Sequence, residues 1–229
     1  MAAAAATALA NPVEVQLDLS AKEHPINPMI YGQFIEHLGR CIYGGIWAEM
    51  LEDRKFYFEV TPEYDPYTSL EDTEFPVIGA SPWEITGETS GLTMVTEDSF
   101  VGDHTPRLQA GTGIRQHDLA WEEGRGYEGY VWLKRTGEDH AKVTVRLGGV
   151  DEPAEFHYTV SGDDYQQFYF NWTAPADSAK GTFAVEVESG AAFVGTSSIM
   201  PDDNVDGMRA DTIALMKELQ APIYRWPGG

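Results

Sequence analysis

Apolar and polar residues alternate along "VEVQLDLS", where Val13, Val15, Leu17 and Leu19 fall on one side; this period of two predicts a half-buried strand over 13–20. A turn-rich "KEHPINP" follows, and then "MIYGQFIEHL" reads as a buried strand. In "GGIWAEMLEDRKF" the spacing puts Ile46, Trp47, Met50 and Leu51 on one helical face behind two glycines. From Thr61 to Pro82 Pro, Glu, Asp, Thr and Ser replace any period, which predicts a long irregular connection. Between Trp83 and Met200 the pattern becomes all-β: "GYVWLKR", "AKVTVRLGG", "AEFHYTV", "QQFYFNWTAP" and "TFAVEVES" recur between Gly, Asp and Pro clusters. Phe168, Phe170 and Trp172 share one face of their strand, as do Phe183, Val185 and Val187 of theirs. The period returns to a helical one at Met208, Thr212, Leu215, Met216 and Leu219, with Asp206 as a candidate cap, and "APIYRWPGG" reads as a strand ending in a turn.

Short antiparallel strands of this kind make a sandwich or jelly roll. The fold class expected is therefore an α+β mixture: the start of a β/α (TIM) barrel, interrupted by an inserted antiparallel β-sandwich. Deleting the sandwich leaves β, α, α, β, the order in which such a barrel opens.

Composition narrows the partners. The chain has 229 residues, 42% hydrophobic and 12% aromatic, which excludes a disordered polymer. Fifteen Lys and Arg stand against 37 Asp and Glu, and the net charge of −22 repels phosphate backbones and anionic lipid, so neither nucleic acid nor membrane is an expected partner. A neutral ligand is indifferent to that field, and Trp and Tyr beside carboxylates suit a sugar. No apolar run approaches the ~20 residues that span a bilayer. The opening "MAAAAATALANP" has a cleavage-like end without a cationic start; a signal-peptide remnant would place the protein outside the cell or in the periplasm, and a plain flexible leader in the cytoplasm.

Among the motifs, "DDNVDG" has the first half of a calcium loop, but the position that needs a bidentate Glu is Ile213, so an acidic turn before a helix N-terminus is the reading adopted. The six His show no metal spacing, and Cys41 has no nucleophile signature around it. No cofactor or metal is expected. Trp132 lies in a strong strand pattern and is expected in the core. Trp121, in the polar and Gly-rich "HDLAWEEGRGYEGY", is expected to be partly exposed and, with Tyr127, to form a platform for a sugar face, against core packing as the alternative.

"IYGQFIEHLGRCIYGGIWAEMLEDRKF" together with "GMRADTIALMKELQAPIYRWPGG", about 50 residues in all, resembles the amino-terminal part of an α-L-arabinofuranosidase of glycoside hydrolase family 51, whose members are retaining β/α-barrel enzymes. "DDYQQFYFNWTAP" and "FVGTSSIMP" are similar to carbohydrate-binding modules of jelly-roll type. The Ala-rich leader occupies 1–12, and the resemblance implies, over 13–20, a strand of the flanking sandwich. It further implies the first barrel strand, helix and connection over 21–82, the inserted module over 83–200, and a barrel helix with the second barrel strand, truncated, over 201–229. It makes Glu36 and Arg225 substrate-binding residues at strand ends, where barrel sites lie. The substrate implied is an arabinose-containing oligosaccharide or polysaccharide, and a homo-oligomeric parent is compatible with it.

A retaining glycosidase needs two carboxyl groups about 5 Å apart. In the family both come from later strands, so the resemblance implies no catalytic residue within these 229, and a chain inactive alone. The alternative reading is a non-catalytic carbohydrate-binding protein.

Overall fold

The computed structural model describes residues 15–18, 20, 24–67, 78–137 and 140–227. A 3-10 turn, Pro28–Tyr31, leads into the two-residue strand β1, Gln33–Phe34. Ten further strands then follow: β2 Glu84–Gly87, β3 Leu92–Val95, β4 Thr105–Gln109, β5 Thr112–Trp121, β6 Gly126–Arg135, β7 Ala141–Gly148, β8 Ala154–Val160, β9 Gln166–Thr173, β10 Ser178–Ser189 and β11 Ala191–Pro201. The helix α1, Ala210–Leu219, and the strand β12, Tyr224–Arg225, complete the order.

The alternation read between 83 and 200 is realised as two antiparallel five-stranded sheets, ordered β2-β5-β10-β7-β8 and β3-β4-β11-β6-β9. The chain changes sheet at nearly every turn, as in a jelly roll. Phe183, Val185 and Val187 of β10 and Phe170 of β9 are buried between the sheets, with the Phe170 and Phe183 rings 6.0 Å apart. Each such side chain stabilises the fold by about 1.5–3 kcal/mol. Trp132 differs from expectation: it leaves β6 on the outer face and is half-covered by Phe100, at 5.2 Å, from the loop before β4.

The helix expected after Gly45 does not form. β4 pairs with β11 only over Ala191–Phe193, so the rest of that edge of β11 is open, and residues 46–56 run along it as an irregular strap. Met50 N–H donates to the Ile199 carbonyl (3.1 Å) and Thr196 Oγ1 to the Arg54 carbonyl (2.9 Å). On the other side Gln116 of β5 exchanges two hydrogen bonds with the Glu52 backbone, at 3.0 and 2.6 Å. The strap's polar backbone thus finds partners outside itself, and positive φ at Asp53 (42°) and Phe56 (59°) is incompatible with a helix. Leu51, Phe56 and Val60 enter the core from this edge and join Trp83.

Residues flanking the sandwich meet at a neck. Ala48 N–H donates to Gly207 O and Arg209 N–H to Ile46 O, both at 2.8 Å. The helix begins after Arg209, its N-cap, not at Asp206, whose positive φ (51°) puts it in the preceding turn. Asp211 lies in the first turn, where the dipole favours a carboxylate, and hydrogen bonding from Arg209 holds its pKa at about 2. β12 then pairs in parallel with β1. Two strands of two residues and one helix do not by themselves constitute the opening of a barrel. The strand predicted over 13–20 lies partly outside the described residues; 15–18 carry no strand, and Val15 and Leu17 are exposed.

Candidate functional site

The parallel pair β1–β12 brings Glu36 and Arg225 together. Asn27 caps the first turn, its Oδ1 accepting from Met29 N–H at 3.0 Å. Gly32 follows, and a Cβ there would lie 2.7 Å from Ile223 Cγ2, so any larger residue would have to displace the Ile223 side chain from this close approach of the two segments. The ladder is then fixed by Gln33 N–H to Ile223 O and Ile35 N–H to Arg225 O, both 2.9 Å. Glu36 emerges one residue beyond that last bond, and its Oε1 is 3.7 Å from Arg225 Nη2, with the side chains 27% and 69% exposed. Both stand at the carboxyl ends of neighbouring parallel strands. The final glycines of "RWPGG" lie outside the described residues.

The segment after Glu36 turns back on itself. Gly44 has φ 74°, and a Cβ on Gly45 would sit 2.2 Å from the Arg40 carbonyl oxygen, so the adjacent glycines permit a reversal that side chains would block. The reversal presents Tyr43, which meets Trp47 edge-on at 5.2 Å. The Arg54 guanidinium lies over Trp47 at 5.3 Å.

Sequence reasoning missed Glu49. Its carboxylate, 1% exposed, accepts from Ser198 Oγ (2.6 Å), from the Ile199 and Leu51 N–H groups (both 3.1 Å) and from Arg54 Nη1 (3.3 Å). Burial pushes its pKa up, against those hydrogen bonds and the Arg54 charge. The network ties the strap to β11 and fixes the Arg54 head, which also donates to Tyr130 Oη at 3.0 Å. A lone carboxylate inside the apolar "IWAEML" was the available signal. Beside the strap is a cavity of about 770 Å³ lined by Arg40, Trp47, Glu52, Arg125 and Arg209 among others. Among the described residues no group of three or more His, Cys, Asp or Glu is placed to hold a metal ion.

The expected aromatic platform is instead a buried cluster. Trp121 and Tyr127 are each 2% exposed, with ring centroids 5.0 Å apart and Trp172 beside both. Trp121 Nε1 donates to Gly148 O at 2.8 Å, and Tyr127 Oη accepts from Glu122 N–H at 2.9 Å. Buried, and with Trp121 meeting both neighbouring rings edge-on, neither offers a surface to a ligand.

No protein-family model matches the chain. Aligned over 94% of its length, it is 26% identical to an extracellular exo-α-L-arabinofuranosidase of Streptomyces chartreusis, of which it covers 26%. Over 95% of its length it is 24% identical to α-L-arabinofuranosidase 2 of Arabidopsis thaliana, covering 34% of that protein. An exo-α-(1→6)-L-arabinofuranosidase of Bifidobacterium longum is 30% identical over 56% of the chain, which covers 23% of it. The resemblance to α-L-arabinofuranosidases thus extends along nearly the whole chain, while the chain spans only about a quarter to a third of these relatives. Among solved structures it is similar to the CBM22-1 xylan-binding domain of Paenibacillus barcinonensis Xyn10C, with TM-score 0.43 and 11% identity over 53% of this chain and 87% of that one. It is also similar to TmCBM61 in complex with β-1,4-galactotriose, with TM-score 0.44 and 11% identity over 63% of this chain and 100% of that one.

Proposed function

We propose that the chain is the amino-terminal part of a retaining glycoside hydrolase of family 51 that releases terminal α-L-arabinofuranosyl groups from arabinose-containing plant polysaccharides. Its sandwich is then a carbohydrate-binding module inserted between the first two strands of a β/α barrel. The observation that carries this reading is the parallel β1–β12 ladder, which sets Glu36 and Arg225 3.7 Å apart at adjacent strand ends. Barrels place their sites there. A carboxylate and a guanidinium side by side supply charge-assisted hydrogen bonds to sugar hydroxyls, accepting and donating respectively.

Surface chemistry supports the same reading. Phe34 on β1, Ile223 just before β12, Leu215 and Leu219 on α1, and Trp226 are all exposed, and no residue of α1 is buried. Apolar faces of this extent fit elements that further barrel strands and helices would cover. On this reading Glu36 and Arg225 hold the arabinosyl ring, the acid/base and nucleophile carboxylates come from later strands, and the 229 residues alone bind sugar without cleaving it.

The test is to express this chain and the polypeptide its reading frame encodes up to the natural stop codon, and to assay both on 4-nitrophenyl α-L-arabinofuranoside. Hydrolysis with retained anomeric configuration by the longer product alone is expected. A stop codon directly after Gly229, with glycan binding and no turnover, would favour the non-catalytic carbohydrate-binding alternative.

A further inference from the structure

A row of rings and polar groups leads from the Glu36–Arg225 corner across the strap to the outer face of the sandwich. The ring of His37, next in sequence to Glu36, lies 6.3 Å from that of Tyr43, and Tyr43 meets Trp47 at 5.2 Å. Arg54 covers Trp47 and donates to Tyr130 Oη, and the Tyr169 ring is 6.2 Å from that of Tyr130. Register accounts for the last part of the row: Ser198, Tyr130 and Tyr169 are direct partners on β11, β6 and β9, so their side chains leave the sheet on one face.

One exposed ring on a surface needs no explanation. Here Tyr43 and Tyr169, at the two ends, are 62% and 66% exposed, while Trp47, Arg54 and Tyr130 between them are half-buried and fixed. The Glu49 network holds Arg54 in place, and Gln167 accepts from Tyr169 Oη at 2.5 Å. Asn171 and Glu128 face each other beside the row and add hydrogen-bonding groups. Flat rings flanked by amides and an immobilised guanidinium match alternating C–H faces and hydroxyls. A protein of net charge −22 favours a neutral occupant over an anionic one. The outer face of the opposite sheet is different in kind: Arg115 and His117 pair with Glu84, and Arg146 with Glu155 and Glu186, so its charges are matched to one another.

We propose that the row Tyr43–Trp47–Arg54–Tyr130–Tyr169 is an extended binding track for the main chain of a neutral polysaccharide, continuous with the Glu36–Arg225 corner. The proposal rests on the carbohydrate reading above and adds to it where the polymer lies. The track holds the backbone while a side-chain sugar occupies the corner, so the strap and the sandwich act as one surface.

Native affinity electrophoresis of the full chain, in gels cast with soluble arabinoxylan, with arabinan or without polysaccharide, tests this. Retardation by one of the polymers is expected, with Tyr43→Ala and Tyr169→Ala each weakening it about tenfold, the scale on which truncated aromatic anchors act. Both residues are exposed, so melting temperatures should stay close to that of the parent chain. Retardation unchanged in both variants, or lost instead in Arg146→Ala on the opposite sheet, would overturn the track and leave carbohydrate binding intact. An effect of Tyr169→Ala alone would overturn its continuity with the corner. No retardation by either polymer would remove the track and the carbohydrate-binding role together.

Discussion

Glu49 and Ser198, 149 positions apart, share a 2.6 Å hydrogen bond that ties the strap to the open edge of β11. The carboxylate also satisfies two backbone N–H groups and faces Arg54, so Glu49→Ala strands several buried donors at once. Breaking a buried pair by removing one partner costs about 3–5 kcal/mol. Glu49→Gln keeps an acceptor for the backbone but turns amide hydrogens towards Arg54, a smaller loss of about 1–3 kcal/mol. Urea unfolding should rank the chains as parent, Gln, Ala in falling midpoint. An unchanged midpoint for the Ala variant would mean that the strap does not depend on this network.

Asp53 introduces a pH dependence of a defined sign. Burial raises its pKa from 3.8 to about 6, against hydrogen bonds from Phe58 and Tyr57 N–H and the charge of His104. The folded state therefore holds this proton more tightly than the unfolded state. The stability it contributes is fully present below pH 3.8 and is lost as pH rises to about 6. Asn cannot titrate, tolerates the positive φ at this position and still accepts from the backbone. Measured as the melting temperature of the parent minus that of Asp53→Asn, the difference should fall between pH 4 and pH 7. A flat difference would contradict the burial assigned to this carboxyl.

The sandwich was legible because its strands alternate, and one parity of Phe183, Val185 and Val187 is buried as expected. The strap was not. Ile46, Trp47, Met50 and Leu51 satisfy a helical face, yet the same spacing serves a segment that feeds a core from its edge. What decides between them is the unpaired edge of β11, some 150 residues away and invisible to any local window. Trp121 was misplaced for a related reason. Its polar, glycine-rich neighbours form the turn after β5, whereas positive φ at Asp118 (58°) resets the strand's alternation so that Leu119 and Trp121 both point inward. The Glu36–Arg225 corner was approachable only through resemblance, because no local pattern pairs two strands whose register partners are 191 positions apart, as Phe34 and Arg225 are.

The burial of Trp121 is directly testable. Its indole fills the space between the sheets, and its Nε1–H is bonded to Gly148 O. Trp121→Ala should lower stability by about 3–5 kcal/mol, as for other buried aromatic truncations. Trp121→Phe retains most of the packing but leaves the carbonyl partner unsatisfied, at about 1–3 kcal/mol. Denaturant titration would separate this from a ligand platform, for which replacement removes glycan retention without moving the unfolding midpoint.

The Glu36–Arg225 pair should behave in the opposite way. Arg225 is largely exposed and the ion pair is open to solvent, so it contributes only about 0–1 kcal/mol to folding. Arg225→Ala and Glu36→Gln should therefore melt within a few degrees of the parent chain. A charged hydrogen bond to a bound hydroxyl is worth more, about 1.5–3 kcal/mol, so each substitution should weaken binding of L-arabinose by roughly 10- to 150-fold. Titration of the 229-residue chain with L-arabinose, followed by NMR chemical shifts of the β1 and β12 amides, reads this directly. Shifts that persist at the same sugar concentration in both variants would place the monosaccharide elsewhere, and the strand-end corner would then be a structural contact without a ligand.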